Sequence, residues 1–210
     1  MRRPEFIARQ SGRPHGWLGR LQAWIMERET AAANQAALTQ LALQPTDQLL
    51  EIGFGPARTL ERAAQRLTQG RAVGVDHAPA MVDAARRRCT DLIAAGRVEV
   101  HCADSARLPF ADASFDKALS VNTLYFWHPP GPHLREIRRT LRPGGCVMLA
   151  YRPAGARGTT DFPASVYRFY SPTDVHALLA DAGFTAIDTQ GVSPELQLTT
   201  ARAPAPQEVT

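Results

Sequence analysis

The chain has 210 residues, 24 basic and 20 acidic, with a formal net charge of +4; 44% of its residues are hydrophobic and 21% charged. That balance fits one globular domain with modest additions and excludes long disorder, a collagen-like repeat and a disulfide miniprotein. Lys117 is the only lysine, which excludes a Gly-Lys-Ser/Thr phosphate loop, a Tyr-x-x-x-Lys pair and a Schiff-base lysine in a pocket-like context.

The N-terminal run Met1-Arg2-Arg3-Pro4-Glu5-Phe6 lacks the apolar core of a signal peptide, and no stretch has the roughly 18 uncharged apolar residues of a membrane helix. Trp17 to Leu43 has helical spacing, with Leu18, Leu21 and Ile25 on one face, and Pro45 stops it. Residues 1–44 are therefore expected to form a helical cap, acting as a lid over a cleft or lying on a membrane surface. Gln48–Ile52 reads as a short buried strand, followed by the turn Gly53-Phe54-Gly55-Pro56-Ala57 and a helix to about Thr68. Ala72–Asp76 is a second strand, Ala78 to about Ala95 one helix, Arg97–Ala103 a third strand and Phe115–Val121 a fourth. A helix over Pro132–Leu141 leads to a fifth strand, Gly145–Tyr151.

Beyond Tyr151 comes an irregular stretch, residues 152 to 171, then a helix started by Ser171-Pro172 and stopped at Gly183. Strands at Phe184–Thr189 and Leu196–Ala201 precede a tail over 203–210. Alternating strands and helices imply an α/β, doubly wound, mostly parallel sheet with helices on both faces, here over residues 45–202. Cys89, Cys102 and Cys146 are odd in number and widely spaced, which suggests neither a zinc site nor a disulfide framework and fits the cytoplasm. No metal and no nucleic-acid partner are expected, since no basic run is interleaved with aromatics.

Chemistry is concentrated at the strand ends. Glycines in the 53–57 turn let backbone approach a ligand, but a nicotinamide dinucleotide site wants a third glycine where Arg58 stands. Glu51 in the preceding strand would repel a diphosphate and suits an ammonium or sulfonium ligand. Asp76 ends the second strand about 20 residues on, placed to accept ribose hydroxyls or to cap the next helix. Asp104 and Ser105 end the third strand, placed to read an adenine edge or to cap their own loop. Three carboxylates at successive carboxyl ends lie where open parallel sheets bind ligands.

Leu50-Glu51-Ile52-Gly53-Phe54-Gly55, Gly74-Val75-Asp76 with Met81, Ala103-Asp104-Ser105 with Leu108-Pro109-Phe110, Ser114-Phe115-Asp116 and Leu141-Arg142-Pro143-Gly144-Gly145 together resemble the motif series of class I S-adenosylmethionine-dependent methyltransferases. The resemblance covers about Gln48 to Tyr151, and Tyr170-Ser171-Pro172 and Ala182-Gly183-Phe184 extend it. It implies a seven-stranded sheet with the last strand antiparallel and S-adenosylmethionine as cofactor. Gly53 and Gly55, with Phe54 between them, would line its methionine part, with Glu51 near its amino group. Asp76 would hold the ribose with His77 and Met81 beside it, Asp104 and Ser105 would read adenine, and Asn122 would stand beside the donor methyl. Ala57 departs from the family, which often has glycine there. A small-molecule acceptor is implied, with Thr123–Pro130 as an aromatic wall. His128, His133 and Tyr125 are candidate general bases, needed only if the acceptor carries a proton. Arg152, Arg157 and Arg168 are candidates to meet an acidic acceptor. A phospholipid or quinone-precursor methyltransferase at a membrane surface and a non-catalytic S-adenosylmethionine-binding protein are the alternatives.

Overall fold

The computed structural model describes residues 30–205. The part of the expected cap over residues 1–29, with Trp17 and Trp24, and the tail from 206 lie outside the described residues. From residue 30 to 41 the chain is helical (α1), and Ala37, Leu38 and Leu41 bury one face of it. The elements that follow are β1 (Gln48–Ile52), α2 (Arg58–Arg66), β2 (Arg71–Asp76), α3 (Pro79–Arg88), α4 (Thr90–Ala94), β3 (Val98–Cys102) and β4 (Phe115–Val121). After them come α5 (Pro130–Thr140), β5 (Leu141–Tyr151), α6 (Pro172–Asp181), β6 (Thr185–Ser193) and β7 (Leu196–Arg202).

The strands form one sheet in the order β3-β2-β1-β4-β5-β7-β6. Strands β1 to β5 pair in parallel, and β7 inserts antiparallel between β5 and β6. Side chains alternate between faces, so each buried strand feeds two cores. Leu50, Val73, Ala118 and Leu149 join Leu134, Ile137, Val175 and Leu179 of α5 and α6 on one face. Leu49, Ala72, Leu119 and Met148 join Leu38, Leu60, Ala63, Met81 and Ala85 on the other. With both faces covered, the open surface of the sheet is its edges and ends. Strand order reverses between β1 and β4, and a crevice at the carboxyl ends of those strands is the standard place for a ligand in such sheets.

Two elements differ from expectation. The helix expected as one piece over 78–95 is two, broken at Cys89, whose ψ is 22°. Thr90 Oγ1 bonds back to the carbonyls of Arg86 and Arg87, at 2.9 and 3.1 Å, a competition that bends helices. Strand β5 starts at Leu141 rather than Gly145. Leu141 pairs with Phe115 and Cys146 with Lys117, so residues 142–145 bulge out, and Gly144 takes a φ of 78° there. At α6, Ser171 is the N-cap expected: its hydroxyl accepts from the Asp174 amide, and the Asp174 carboxylate accepts from the Ser171 amide. Among the described residues no helix is long and apolar enough to cross a membrane.

Candidate active site

The turn after β1 has positive φ at Gly53 (72°), Gly55 (54°) and Ala57 (63°). Gly53 is required twice over, because a Cβ there would also lie 2.1 Å from Thr123 Cγ2. That contact joins the ends of β1 and β4 at the point where strand order reverses. Among the described residues a Cβ on Gly55 would meet nothing within 4 Å. Ala57, the N-cap of α2, is buried in the left-handed region that glycine enters without steric cost, and no side chain caps the helix start. Phe54 turns away from the open side. It is buried against Gly74, where an added Cβ would stand 2.5 Å from its ring.

Glu51 pairs with Gly74 and Ile52 with Val75, so Glu51 and Asp76 are diagonal neighbours on one face of the sheet. Asp76 Oδ2 accepts from the Gly55 amide at 3.0 Å and Oδ1 from the Ala78 amide at 2.9 Å, so it braces the glycine turn and the start of α3 together. Glu51 is 3% exposed, and its Oε2 has no hydrogen-bond partner among the described residues. Burial, and then the neighbouring Asp76 carboxylate, push the Glu51 carboxyl up to about 8. Burial also raises the Asp76 carboxyl, against the lowering effect of its bonds from Ala78 and Gly55. A buried carboxylate oxygen left unpaired is costly unless a cation meets it. His77 is exposed, with Nδ1 3.9 Å from Asp76 Oδ1, and Met81 is buried in the core behind.

At the end of β3 the Asp104 side chain is 71% exposed, and its Oδ1 accepts from the Ala106 amide at 2.9 Å. Ser105 is buried, and its Oγ lies 2.8 Å from His133 Nδ1. The His133 ring stacks on Trp127, centroids 5.1 Å apart and planes 8° from parallel, and its Nδ1 is 3.9 Å from Asp104 Oδ1. Burial lowers the His133 pKa, only partly offset by Asp104, which favours the neutral ring. The loop carrying Asp104 and Ser105 is anchored further on by Arg139, which donates to the carbonyls of Leu108 and Phe110 and to the carboxylates of Asp112 and Glu136.

Beyond β4, Asn122 has a positive φ of 56° and its side-chain oxygen accepts from the Tyr125 hydroxyl. Tyr125 is buried among Phe126, Tyr167 and Phe169, and burial drives its phenol far above the ordinary value. The structure therefore makes Tyr125 a hydrogen-bond donor at neutral pH. His128 is exposed just before α5. Arg152 donates to the Arg157 carbonyl, and Arg168 lies over the Tyr170 ring. Among the described residues no group of three or more His, Cys, Asp or Glu side chains could hold a metal ion.

Glu51, Gly55, Asp76, Asp104, Ser105 and Asn122 thus stand at four successive strand ends, while Phe54 and Met81 pack behind them. Sequence reasoning missed Thr123 as the partner that forces Gly53, and His133 as the partner of Ser105. Both contacts join residues distant in the chain, and neither has a local signature.

A family profile described as a methyltransferase domain matches residues 49–145. The "Uncharacterized methyltransferase YdaC" of Bacillus subtilis is 29% identical over 194 residues, covering 88% of this chain and 99% of its own. The malonyl-(acyl-carrier protein) O-methyltransferase of Halorhodospira halophila is 30% identical over 167 residues, covering 76% of this chain; the chain spans 55% of that relative. The crystal structure of a SAM dependent methyltransferase from Aquifex aeolicus matches with a TM-score of 0.75 at 19% identity, covering 87% of this chain and 97% of its own. At that identity the likeness is one of fold.

Proposed function

We propose that the chain is a class I S-adenosylmethionine-dependent methyltransferase, whose carboxyl-edge cleft binds S-adenosylmethionine for transfer of the methyl group to a small-molecule acceptor. The observation that carries the reading is the buried Oε2 of Glu51, which has no hydrogen-bond partner among the described residues, on the strand that leads into the glycine turn. An amino-acid ammonium supplies the missing partner, and the glycine turn leaves room for its chain. A pyrophosphate would meet two neighbouring carboxyl groups instead.

Asp76 fits the ribose without giving up its bracing role. Each of its oxygens accepts one amide, and a carboxylate oxygen has a second lone pair for a hydroxyl. The exposed Asp104 side chain and the Ser105 amide suit an adenine edge. Asn122 stands at the end of β4, beside the crevice where the reacting groups would meet.

Bound there, S-adenosylmethionine would supply a methyl activated by its sulfonium, passed to the acceptor atom with the carbon–sulfur electron pair kept by sulfur as S-adenosylhomocysteine. The protein's share is to align the acceptor and exclude water, and proximity alone is worth roughly 7–11 kcal/mol. A protonated acceptor also needs somewhere to send its proton. His128 is solvent-facing, whereas the His133 ring is held by Ser105 and stacked on Trp127, so His128 is the freer of the two to accept it.

Calorimetric titration with S-adenosylmethionine and with S-adenosylhomocysteine tests the reading: one site per chain is expected for each, and no binding of either overturns it. Label from methyl-labelled S-adenosylmethionine is expected in a metabolite when the protein is added to cell extract. Binding without transfer of label would leave a non-catalytic binding protein.

A further inference from the structure

Charge on the rim is divided where strand order reverses. The ends of β1, β2 and β3 carry Glu51, Asp76 and Asp104, whereas the residues that directly follow β4 and β5, 122–129 and 152–160, include no Asp or Glu. Asn122 stands two residues beyond the pairing of Ser120 with Ile52, and its backbone is held from both sides. Its amide donates to the Ala150 carbonyl of β5 at 2.8 Å, and the next residue, Thr123, packs against Gly53 of the β1 turn. The side chain is held as well, because its oxygen accepts from the Tyr125 hydroxyl. Tyr125 has little room to swing away: Phe126, Tyr167 and Phe169 surround its ring at centroid distances of 5.2 to 5.9 Å, and its carbonyl accepts from the Arg168 amide at 3.0 Å. Burial keeps the phenol protonated and therefore a donor, so the oxygen is the end of the Asn122 amide turned toward it. The nitrogen, with two N–H donors and no hydrogen-bond partner among the described residues, is the end left over.

We propose that the Asn122 nitrogen receives the reacting oxygen of the acceptor, that this oxygen is anionic, and that Tyr125 is the positioning residue that decides which end of the amide faces it. An amide nitrogen donates to an oxygen lone pair but offers nothing to the N–H of an amine. Arg152 adds a charge of the matching sign on the same side of the rim. Of the three arginines expected to meet an acidic acceptor, it is the one whose charge reaches Tyr125, while the carboxylates lie across the reversal point. A deprotonated oxygen supplies the electron pair of the new carbon–oxygen bond, and the carbon–sulfur pair stays on sulfur. The negative charge of the oxygen and the positive charge of the sulfonium cancel, and no proton has to leave, so such an acceptor makes no call on His128.

The inference rests on the methyltransferase reading for what happens at that oxygen, and probe binding tests it separately. NMR titrations of the full chain near pH 8, with and without S-adenosylhomocysteine, would compare 4-nitrophenolate, 4-nitrobenzoate and 4-nitroaniline, three flat probes of similar size. At least one anion is expected to bind about tenfold or more tighter than 4-nitroaniline, the worth of one hydrogen bond to a charged group. Which anion it is distinguishes a phenol from a carboxylic acid as the acceptor. Asn122→Asp keeps the shape, tolerates the left-handed backbone and still accepts from Tyr125, but puts an oxygen where the donor stood, so the preference is expected to invert. Tyr125→Phe releases the amide and is expected to lower the preference about threefold or more. Loss of packing alone would weaken all three probes together and leave their ratio unchanged. A parent that binds neither anion, or binds both no better than 4-nitroaniline, overturns the inference, as do variants that keep the parent's ratio. Failure of S-adenosylhomocysteine to bind overturns the functional reading instead, and the ratio measured without it still stands.

Discussion

Glu51 is held in the protein at a cost to stability that its place in the cleft explains. Its carboxyl, raised to about 8, keeps a proton that the unfolded chain loses near the ordinary value of 4.5. The folded state therefore binds more protons between those values, and this group's contribution to stability falls as pH rises through that window. Glu51→Gln keeps the shape and removes the charge. Thermal denaturation from pH 5 to 8 is expected to show the variant gaining on the parent as pH rises, by a few degrees at pH 8. The glycine turn gives two further expectations. Gly53→Ala combines a left-handed alanine, about 1–2 kcal/mol, with a contact against Thr123 of the kind that costs a further 1–3 kcal/mol. Urea unfolding is expected to show a loss of about 2–5 kcal/mol, part of it recovered by Thr123→Ala. Ala57→Gly works in the opposite sense: relieving its φ of 63° is expected to raise the melting temperature by about 2–4 °C.

At the scale of elements, what the chain made legible was whatever local chemistry decides. β1, β4 and α6 fall where alternation and punctuation put them: Gln48–Ile52, Phe115–Val121 and Pro172–Asp181. The Ser171 cap was readable because hydroxyl, proline and Asp174 carry it within four residues. The break at Cys89 was not, because Thr90 is as compatible with an unbroken helix as with the kink its hydroxyl makes. The early start of β5 was hidden by Pro143 and Gly144, which read as a turn and are in fact a bulge. In the site, Glu51, Asp76 and Asp104 were legible as carboxylates at strand ends. The hydrogen bond from Ala78 to Asp76 was legible as a cap for the next helix; the one from Gly55 was not, since it depends on how closely two turns approach. Arg139 is the clearest element-scale test, as its guanidinium ties α5 to the loop that presents Asp104 and Ser105. Arg139→Met is expected to cost about 2 kcal/mol in urea unfolding and to weaken S-adenosylhomocysteine binding by loosening that loop.

For the molecule as a whole, the sheet brings residues up to 71 positions apart, from Glu51 to Asn122, to one rim, while helices cover both faces of its central strands. The proposed site lies on that rim, and the segment between β5 and α6 has an irregular backbone that no periodicity announces. In the proposed site a buried Glu51 that holds its proton near neutral pH awaits a cationic ligand. This is tested most directly by calorimetry of S-adenosylhomocysteine binding near pH 7 in buffers of differing ionisation enthalpy. Pairing with an ammonium must ionise Glu51, so release of up to one proton per site is expected, with affinity rising toward pH 8. In Glu51→Gln the proton release is expected to vanish and affinity to fall at least tenfold. Binding without proton release in the parent, or undiminished binding by the variant, would contradict the account.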